Sequence, residues 1–396
     1  MFSHTKEGFC RFRLAISRLF SLAMEDMSDI FKGLRRVITR KYETKTSSEN
    51  YDLGQDDNKN TEKPIKPLDN TNSYPQPVIF VSACVDAKNP GGWKYNGGIK
   101  MLNLLVKQLR NHGYEAYMVT YDGTYEPWLI QHQPHISITE YRDKVKTLPN
   151  VRCVTSWALA KAFTEEASNL YFWDMELAYT DHTHFSTIYS LLMEKHMQLA
   201  GCNSMICAWH MATWRVPCTL LIDWIDDEFW FPIEEERERH KIGYMLESEH
   251  TEREIDQIKE ITDKAGLSLD FQMIRGGTEQ DCLNLMRSCN IFLGMNHGKD
   301  PLWGEGFGLP MMEAMSVGCV VIAYDIIGNR EFLHNGFNGI LVPKDQPDIM
   351  ANRLVELYKN PQKTEQMREN AYNMFCQHYE SENRWPEIRV FLDLNE

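Results

Sequence analysis

The chain has 396 residues, more than the roughly 250 to 300 at which one hydrophobic core stops growing, so we expect two globular domains. Apolar residues make up 43% and charged residues 25%, which is ordinary globular usage and excludes collagen-like, largely disordered and multi-span membrane proteins. The net charge of -14 argues against a protein that binds the phosphate backbone of nucleic acid.

The N-terminal extension differs in charge from the rest of the chain. Residues 1–50 carry ten Lys or Arg and six Asp or Glu, a net +4, which leaves -18 for the remainder. Apolar side chains recur at three- and four-residue steps within 1–43, which predicts a basic amphipathic helix. Its apolar face either packs on protein or makes a peripheral contact with an anionic membrane. Residues 44–76 are polar and nearly free of aliphatic side chains, which predicts a disordered linker.

Cysteine usage and hydropathy bear on the compartment. Ten cysteines occur without a C-x-x-C and without regular spacing, which is typical of free thiols in a reducing compartment. No stretch supplies the roughly 18 apolar residues of a membrane span, and the start has no compact apolar signal core. We therefore expect a cytoplasmic protein that is neither secreted nor integral to a membrane.

Short apolar runs alternate with helical segments from residue 77 onward. Strands are predicted at 78–85, 115–121, 151–156, 169–173 and 204–209, with 218–223 as a further candidate, and helices at 98–112, 157–168 and 185–200. This alternation is typical of a parallel, doubly wound sheet. We predict a Rossmann-like domain over residues 77–232.

The same alternation restarts in residues 233–396 and predicts a second Rossmann-like domain. Strands are predicted at 241–245, 269–274, 290–294, 319–324 and 339–342, and helices at 251–265, 279–288, 309–317, 346–359 and 362–378. Ligands gather at the carboxyl ends of strands in such sheets, so two of these domains in tandem present a shared site in the cleft between them.

The most informative stretch is GEGFGLPMMEAMSVG, residues 304–318. Pro310 lies where a first helical turn begins, and Gly318 suits the end of that helix. Free N–H groups at the helix N-terminus, together with the helix dipole, favour an anion such as a diphosphate. Glu305 and Glu313 flank this point and suit sugar or ribose hydroxyls. Solvated glutamates of a capping turn are the alternative.

The segment EGFGLPMMEAMSVGCVVIAYDIIGNREFLHNGFNGILVPKD resembles the donor-site region of family 4 glycosyltransferases, including their E-x7-E motif as Glu305 and Glu313. The broader resemblance runs from about residue 77 to 385. It implies the α/β fold called GT-B, in which two Rossmann-like doubly wound domains face an interdomain cleft. It also implies that Glu305 binds hydroxyls of the transferred sugar and that Glu313 binds the nucleotide ribose.

Backbone contacts to the donor are implied by the same resemblance. The glycine loop of the first domain is matched by GGI, and the donor loop of the second domain precedes the helix that carries Glu313. The residues concerned are Gly97, Gly98, Gly306, Phe307, Gly308 and Leu309.

The activity that the resemblance implies is transfer of a hexose, with retention of configuration, from a UDP- or GDP-sugar to a hydroxyl of a glycan or lipid-linked acceptor. Members of the family usually need no metal and no other cofactor. Two alternatives remain open. One is a GT-B nucleotide-sugar epimerase or phosphorylase, and the other is a non-catalytic GT-B module that binds sugars or a partner.

One segment departs from the family pattern. Relatives often carry an Arg and a Lys just after the first strand of the second domain, where this chain has Glu247, Ser248 and Glu249. Either another cation neutralises the diphosphate, or the activity is weak or lost. The nearby candidate cations are Arg253, Arg275 and Lys299, and an ordinary solvated charge is the alternative for each.

Histidines and acids of the first domain supply further candidates. His182 and His184 are candidate catalytic residues that meet phosphate or acceptor, and a hydrogen-bonded loop histidine is the alternative. Two further candidates of the same kind follow predicted strands, with the same alternative. They are His210 and Asp174. An acidic group in DWIDDEFWFP suggests a metal site, but this segment resembles the entry to the second domain of the family, so we expect no metal at Asp223, Asp226 and Asp227.

Overall fold

The computed structural model describes residues 76–82, 96–155, 169–175, 189–194, 196–232, 237–245, 249–295 and 306–394. The helix predicted at 1–43 lies outside these ranges, as do the linker predicted at 44–76, apart from its last residue, and the helix predicted at 157–168. None of the helices within the described ranges has the length and apolar content that crossing a bilayer requires.

Seven parallel strands form the first sheet, in the order β3-β2-β1-β4-β5-β6-β7. They are β1 (Val78–Ser82), β2 (Ala116–Thr120), β3 (His135–Ser137), β4 (Val151–Thr155), β5 (Leu170–Asp174), β6 (Gln198–Gly201) and β7 (Thr219–Leu220). The named helices of this part are α1 (Gly97–Asn111), α2 (Ile138–Thr147) and α3 (Ser204–Trp214). The strand order reverses beside β1, which is where ligands bind in doubly wound sheets.

Five parallel strands form the second sheet, in the order β12-β11-β10-β8-β9. They are β8 (Glu238–Met245), β9 (Asp270–Ile274), β10 (Cys289–Gly294), β11 (Val320–Tyr324) and β12 (Ile340–Val342). The helices are α4 (Glu249–Lys264), α5 (Glu279–Ser288), α6 (Leu309–Ser316), α7 (Ile327–Arg330), α8 (Pro347–Lys359), α9 (Pro361–His378) and α10 (Trp385–Phe391). Two doubly wound parallel sheets confirm the predicted α/β class.

Two apolar cores hold these layers together. One core lies between the second sheet and the helices α4, α8 and α9. The other core contains the first sheet and α1 and continues into α5 and α6, so that Phe80 and Met311 belong to the same cluster. Residues 99–106 of α1 are all buried. This helix is therefore covered on all sides, unlike a surface helix with one apolar stripe.

Two of the predicted elements are wrong. The strand predicted at 204–209 is part of α3, and the C-terminal end of the helix predicted at 185–200 belongs to β6. A short apolar run without alternation fits a buried helix as well as a buried strand, so periodicity does not separate them. The N-cap identifies this segment as a helix, since the Asn203 side chain accepts the Ile206 N–H at 2.8 Å and starts the helix.

The chain returns to the first sheet at its C-terminal end. The rings of Phe391 and Tyr171 lie 5.6 Å apart, and the Tyr171 hydroxyl donates to Asp393 at 3.1 Å. Arg152 donates to the Leu392 carbonyl. The last helix, α10, therefore packs on the first sheet, although it follows the second sheet in the sequence. The domain ranges 77–232 and 233–396 stay predictions.

Candidate functional site: two opposed helix N-termini and a buried lysine

The N-termini of α1 and α6 meet between the two sheets. The Asn96 side chain caps α1 by accepting the Ile99 N–H at 3.1 Å. A Cβ added to Gly97 would lie 3.4 Å from the side chain of Leu309, the first residue of α6. The first N–H groups of a helix have no partner within the helix, and its dipole makes this end positive. Two such ends side by side favour an anion between them.

Glycine at position 308 is required by the turn into α6. Gly308 has a φ of +65°, in the left-handed region, and a Cβ there would collide with the amide oxygen of Asn329. Asn329 is itself fixed, because its amide nitrogen donates to the Tyr324 carbonyl at 2.8 Å. The chain therefore enters α6 with its backbone close to a rigid neighbour.

The residues before this turn are held from both sides. Asn203, which caps α3 of the first sheet, also donates to the Gly306 carbonyl. The Phe307 ring is buried against Phe332, with centroids 5.2 Å apart. The Phe307 side chain thus belongs to the core, and its backbone contact with the donor stays a prediction.

Glu313 lies at the fifth position of α6 and is fully buried. The Lys100 ammonium, from α1, lies 2.6 Å from Glu313 Oε1 and 2.6 Å from Glu279 Oε1 of helix α5. The ammonium also lies 4.2 Å from the centroid of the Trp230 ring. We call Lys100, Glu279 and Glu313 the buried triad. It links a helix of the first sheet to two helices of the second.

The electrostatics of the buried triad favour its charged form. Burial by itself would lower the pKa of Lys100, but the carboxylates of Glu313 and Glu279 outweigh it and raise that pKa. Burial would raise the pKa of Glu279, but Lys100, the Ile130 N–H and the Trp230 indole outweigh it and lower that pKa. Lys100 is therefore an ammonium and Glu279 a carboxylate at neutral pH.

A third helix end lies against Glu331, which directly follows α7. The backbone N–H of Ser204, the first residue of α3, donates to Glu331 Oε2 at 3.1 Å, and its hydroxyl donates to the same oxygen at 2.8 Å. A carboxylate thus already occupies this N-terminus, in the way that an anionic ligand would.

The predicted site residues fall into three groups. The donor-loop residues that follow position 305, the glycines of α1 and Glu313 are brought together as described. Arg275 is exposed directly after β9, an edge strand of the second sheet. The rest lie outside the described residues, namely Glu305, Lys299, His182 and His184.

His210 was predicted to follow a strand, but it lies inside helix α3. His210 is fully buried, its Nε2 lies 2.8 Å from Asp174 Oδ2, and the Trp214 indole donates to its Nδ1 at 3.1 Å. Its placement after a strand was wrong for the same reason as the strand at 204–209. The hydrogen-bonded alternative describes both His210 and Asp174.

The acids of DWIDDEFWFP have different surroundings. Asp226 accepts from the Lys107 ammonium at 2.8 Å, and Asp227 accepts the Ser381 N–H at 3.0 Å. Asp223 is buried, and burial raises its pKa well above the ordinary range. These acids serve separate parts of the fold.

Among the described residues, one group has metal-ligand spacing. Ligand atoms of His250, Glu254 and Asp345 lie within 4.8 Å of one another at the start of α4. The Tyr324 hydroxyl donates to Glu254 Oε1 at 2.6 Å, and His250 Nε2 lies 3.7 Å from that oxygen. Polar contacts of the His250 ring with the two acids account for the same geometry. The group shares no residue with the buried triad.

Lys100 is the residue that sequence reasoning missed. It follows Gly98 by two positions, directly after the GGI motif that the resemblance identified, yet its partner Glu313 lies 213 positions away. No local pattern pairs two residues at that separation. The nearest sequence signal is a charged residue in the mostly apolar first half of the helix.

Two parallel doubly wound sheets with opposed helix ends between them define the GT-B class of architecture. A glycosyltransferase from Rickettsia africae is similar, with a TM-score of 0.57, 12% identity and coverage of 81% of this chain and 100% of that one. Anabaena HepE in complex with UDP has a TM-score of 0.57, 13% identity and coverage of 80% and 99%. The chain has the GT-B fold, as predicted.

The family match falls on the second sheet and its helices. Residues 250–374 match the model of the family described as glycosyl transferases group 1. The chain is 39% identical over 71 residues to phosphatidyl-myo-inositol mannosyltransferase of Mycobacterium tuberculosis. That match spans 18% of this chain and 18% of the length of the relative. The matched family segment includes Glu313.

Proposed function

We propose that this chain is a retaining glycosyltransferase of the family 4 type. It moves a hexose from a UDP- or GDP-sugar to a hydroxyl of a glycan or lipid-linked acceptor. The observation that carries the proposal is the pair of opposed N-termini of α1 and α6, with the Glu313 carboxylate one turn inside α6. The group 1 glycosyl transferase match, the mannosyltransferase relative and the UDP complex of HepE support it.

The chemistry follows from these helix ends. Breaking the bond between sugar and diphosphate leaves negative charge on the diphosphate, and preorganised N–H groups stabilise that charge in the transition state. Glycine at 97 and 308 lets the diphosphate approach the backbone. Glu313 accepts hydrogen bonds from the ribose, and Glu305 accepts them from the transferred sugar. His182 and His184 contact the leaving phosphate or the acceptor.

No metal is required by this mechanism, because the helix ends supply the positive potential. We expect EDTA to leave the transfer rate unchanged. A loss of rate that Mn²⁺ or Mg²⁺ restores would contradict a metal-free reaction. The His250→Ala variant tells whether such a metal acts at the cluster of His250, Glu254 and Asp345.

Nucleotide binding tests the proposal directly. Thermal unfolding is followed with UDP, GDP and the corresponding monophosphates, since a ligand at 100 times its Kd stabilises the folded state by about 2.7 kcal/mol. We expect a diphosphate to raise the Tm more than its monophosphate does. If no nucleotide raises the Tm, the proposal is wrong.

A non-catalytic GT-B module is the second candidate. It is favoured by the acidic start of α4 at Glu249, where relatives often carry cations, and by the cation that already contacts Glu313. Donor hydrolysis separates the two, because a transferase slowly transfers its sugar to water. A protein that binds UDP-glucose or GDP-mannose tightly without hydrolysing either is the module.

The acceptor suggests a location. We propose a cytoplasmic protein that residues 1–43 tether to an anionic membrane, where a lipid-linked acceptor is made. Burial of the apolar face and attraction of roughly 1 kcal/mol per basic residue would hold the tether on the membrane. Deleting residues 1–76 should preserve nucleotide binding and lower pelleting with anionic vesicles. Equal pelleting of both proteins, or unfolding on deletion, would rule out the tether.

A further inference from the structure

The buried triad places three charges where water is excluded. The Lys100 side chain is 1% exposed, that of Glu279 is 7% and that of Glu313 is 0%. Taking charges out of water is costly, and apolar residues of similar volume often replace a buried ion pair without loss of stability. Stability alone is thus a weak reason for the triad, and a need for the charge itself is the better one.

Glu279 is held by more than the lysine. Its Oε2 accepts the Ile130 N–H at 2.9 Å, and its Oε1 accepts the Trp230 indole N–H at 3.1 Å. Its own backbone N–H donates to the Trp128 carbonyl at 2.8 Å. Glu279 is therefore a fixed point of the structure, and it fixes the Lys100 ammonium, which in turn touches Glu313 Oε1.

We propose that Lys100 is a positioning residue of the donor site, which holds Glu313 as an oriented carboxylate that accepts the ribose hydroxyls of the nucleotide. This inference rests on the proposed function. As a consequence, a residue of α1, which packs on the first sheet, helps the helices of the second sheet to recognise a nucleotide. Lys100 itself contacts neither the ribose nor the diphosphate.

Removing the lysine alone would leave two carboxylates facing each other in a buried place. One of them would then take up a proton more readily, because like charges and burial both disfavour ionisation. A protonated Glu313 accepts hydrogen bonds poorly. Cys282 of α5 also faces the triad, and burial together with Glu313 raises the pKa of its thiol to about 12. Asp281 of the same helix is exposed, and hydrogen bonds from Thr278 lower its pKa.

The experiment compares two variants that differ only in the lysine. Glu279→Gln leaves the pair of Lys100 and Glu313, whereas the double variant Glu279→Gln/Lys100→Met leaves Glu313 as the single charge. Neither variant contains two buried carboxylates without a cation, so both avoid the repulsion between like charges that Lys100→Met creates. Calorimetry on the full chain then gives affinities for UDP and uridine, and for GDP and guanosine, between about pH 6 and pH 9.

The expected result has two parts. At pH 7 the double variant binds both the nucleoside and the diphosphate about tenfold more weakly than Glu279→Gln, the loss expected for a hydrogen bond to a charged group. Its affinity rises with pH as Glu313 deprotonates, while that of Glu279→Gln stays level. Lys107→Met is the matched control, since Lys107 also lies on α1 and pairs with two acids, and its pH profile should follow the wild type.

Three results would overturn the inference. Equal affinities and flat pH profiles in both variants would mean that Lys100 does not act on Glu313. A loss confined to the diphosphates would mean that Lys100 contacts phosphate instead. A wild-type protein that binds neither UDP nor GDP would refute the proposed function and this inference with it, whereas the first two results leave the proposed function standing.

Discussion

Lys100 and Lys107 lie seven residues apart on α1, so they project from the same face of one helix, two turns apart. Each meets two carboxylates. Lys100 meets one from each of α5 and α6, and Lys107 lies 2.8 Å from Asp226 Oδ1 and 2.8 Å from Glu228 Oε2. The side chains of Lys107 and Glu228 are 11% and 58% exposed, whereas the partners of Lys100 are buried.

Burial, and not the pattern of charges, therefore determines how costly the loss of each lysine is. For both lysines burial acts to lower the pKa and the carboxylates outweigh it, so that both pKa values are raised. Water screens the charge of Glu228 and can solvate it if Lys107 is lost. Glu313 is fully buried, so solvent does not screen its charge when Lys100 is lost.

The largest expected effect is on stability in Lys100→Met. This variant leaves Glu279 and Glu313 buried without their cation, and breaking such a group costs about 3–5 kcal/mol of unfolding free energy. Urea denaturation at pH 7 measures it. A loss below about 1 kcal/mol, the range of exposed pairs, would show that the triad is no more consequential than a surface contact.

Glu313→Gln separates ligand binding from stability. If Glu313 accepts the ribose hydroxyls, we expect this variant to bind the diphosphate nucleotide more weakly by about 1–3 kcal/mol. Glu228→Gln is the matched control, because Glu228 also pairs with a lysine of α1 but lies outside the proposed site. Titration calorimetry of both variants with UDP or GDP provides the measurement. Unchanged affinity in a folded Glu313→Gln protein would refute the role of Glu313.

A smaller cost is expected for Lys107→Met. Its buried partner Asp226 has a pKa that burial raises in spite of Lys107, so this acid takes up a proton readily when the lysine is removed. We expect a loss of about 1–2 kcal/mol in the free energy of unfolding, with unchanged nucleotide affinity. A loss equal to that of Lys100→Met would remove the distinction between the two clusters.

The smallest expected effect is a difference in acid sensitivity. The pKa of Glu279 is lowered in the folded state from its ordinary value of 4.5, so its stabilising contribution is present above that pH and is lost as the pH falls. The pKa of Asp226 is raised from 3.8, so protonation favours the folded state instead. Between about pH 6 and pH 4, Glu279→Gln should lose less stability than the wild type, and Asp226→Asn should lose more. Parallel curves would contradict this.

Much of the fold was predictable because its signals are local. Runs such as VIFVS and VVIAY are uninterrupted apolar stretches, as parallel strands buried on both faces require, and they form β1 and β11. The start of α6 was predicted from Pro310 and the glycines around it. The strand predicted at 204–209 was wrong, because a buried helix can be equally apolar on all sides.

The sequence by itself determined the alternation of strands and helices, the GT-B resemblance and the place of Glu313 inside the first turns of a helix, because these depend on neighbours along the chain. Only the tertiary structure decided that Lys100 reaches Glu313, since the two residues are 213 positions apart. It also decided that Lys100 is buried and that Lys107 is partly exposed, although both lie on one face of α1. Burial depends on what packs against that face, and residues far along the chain supply it.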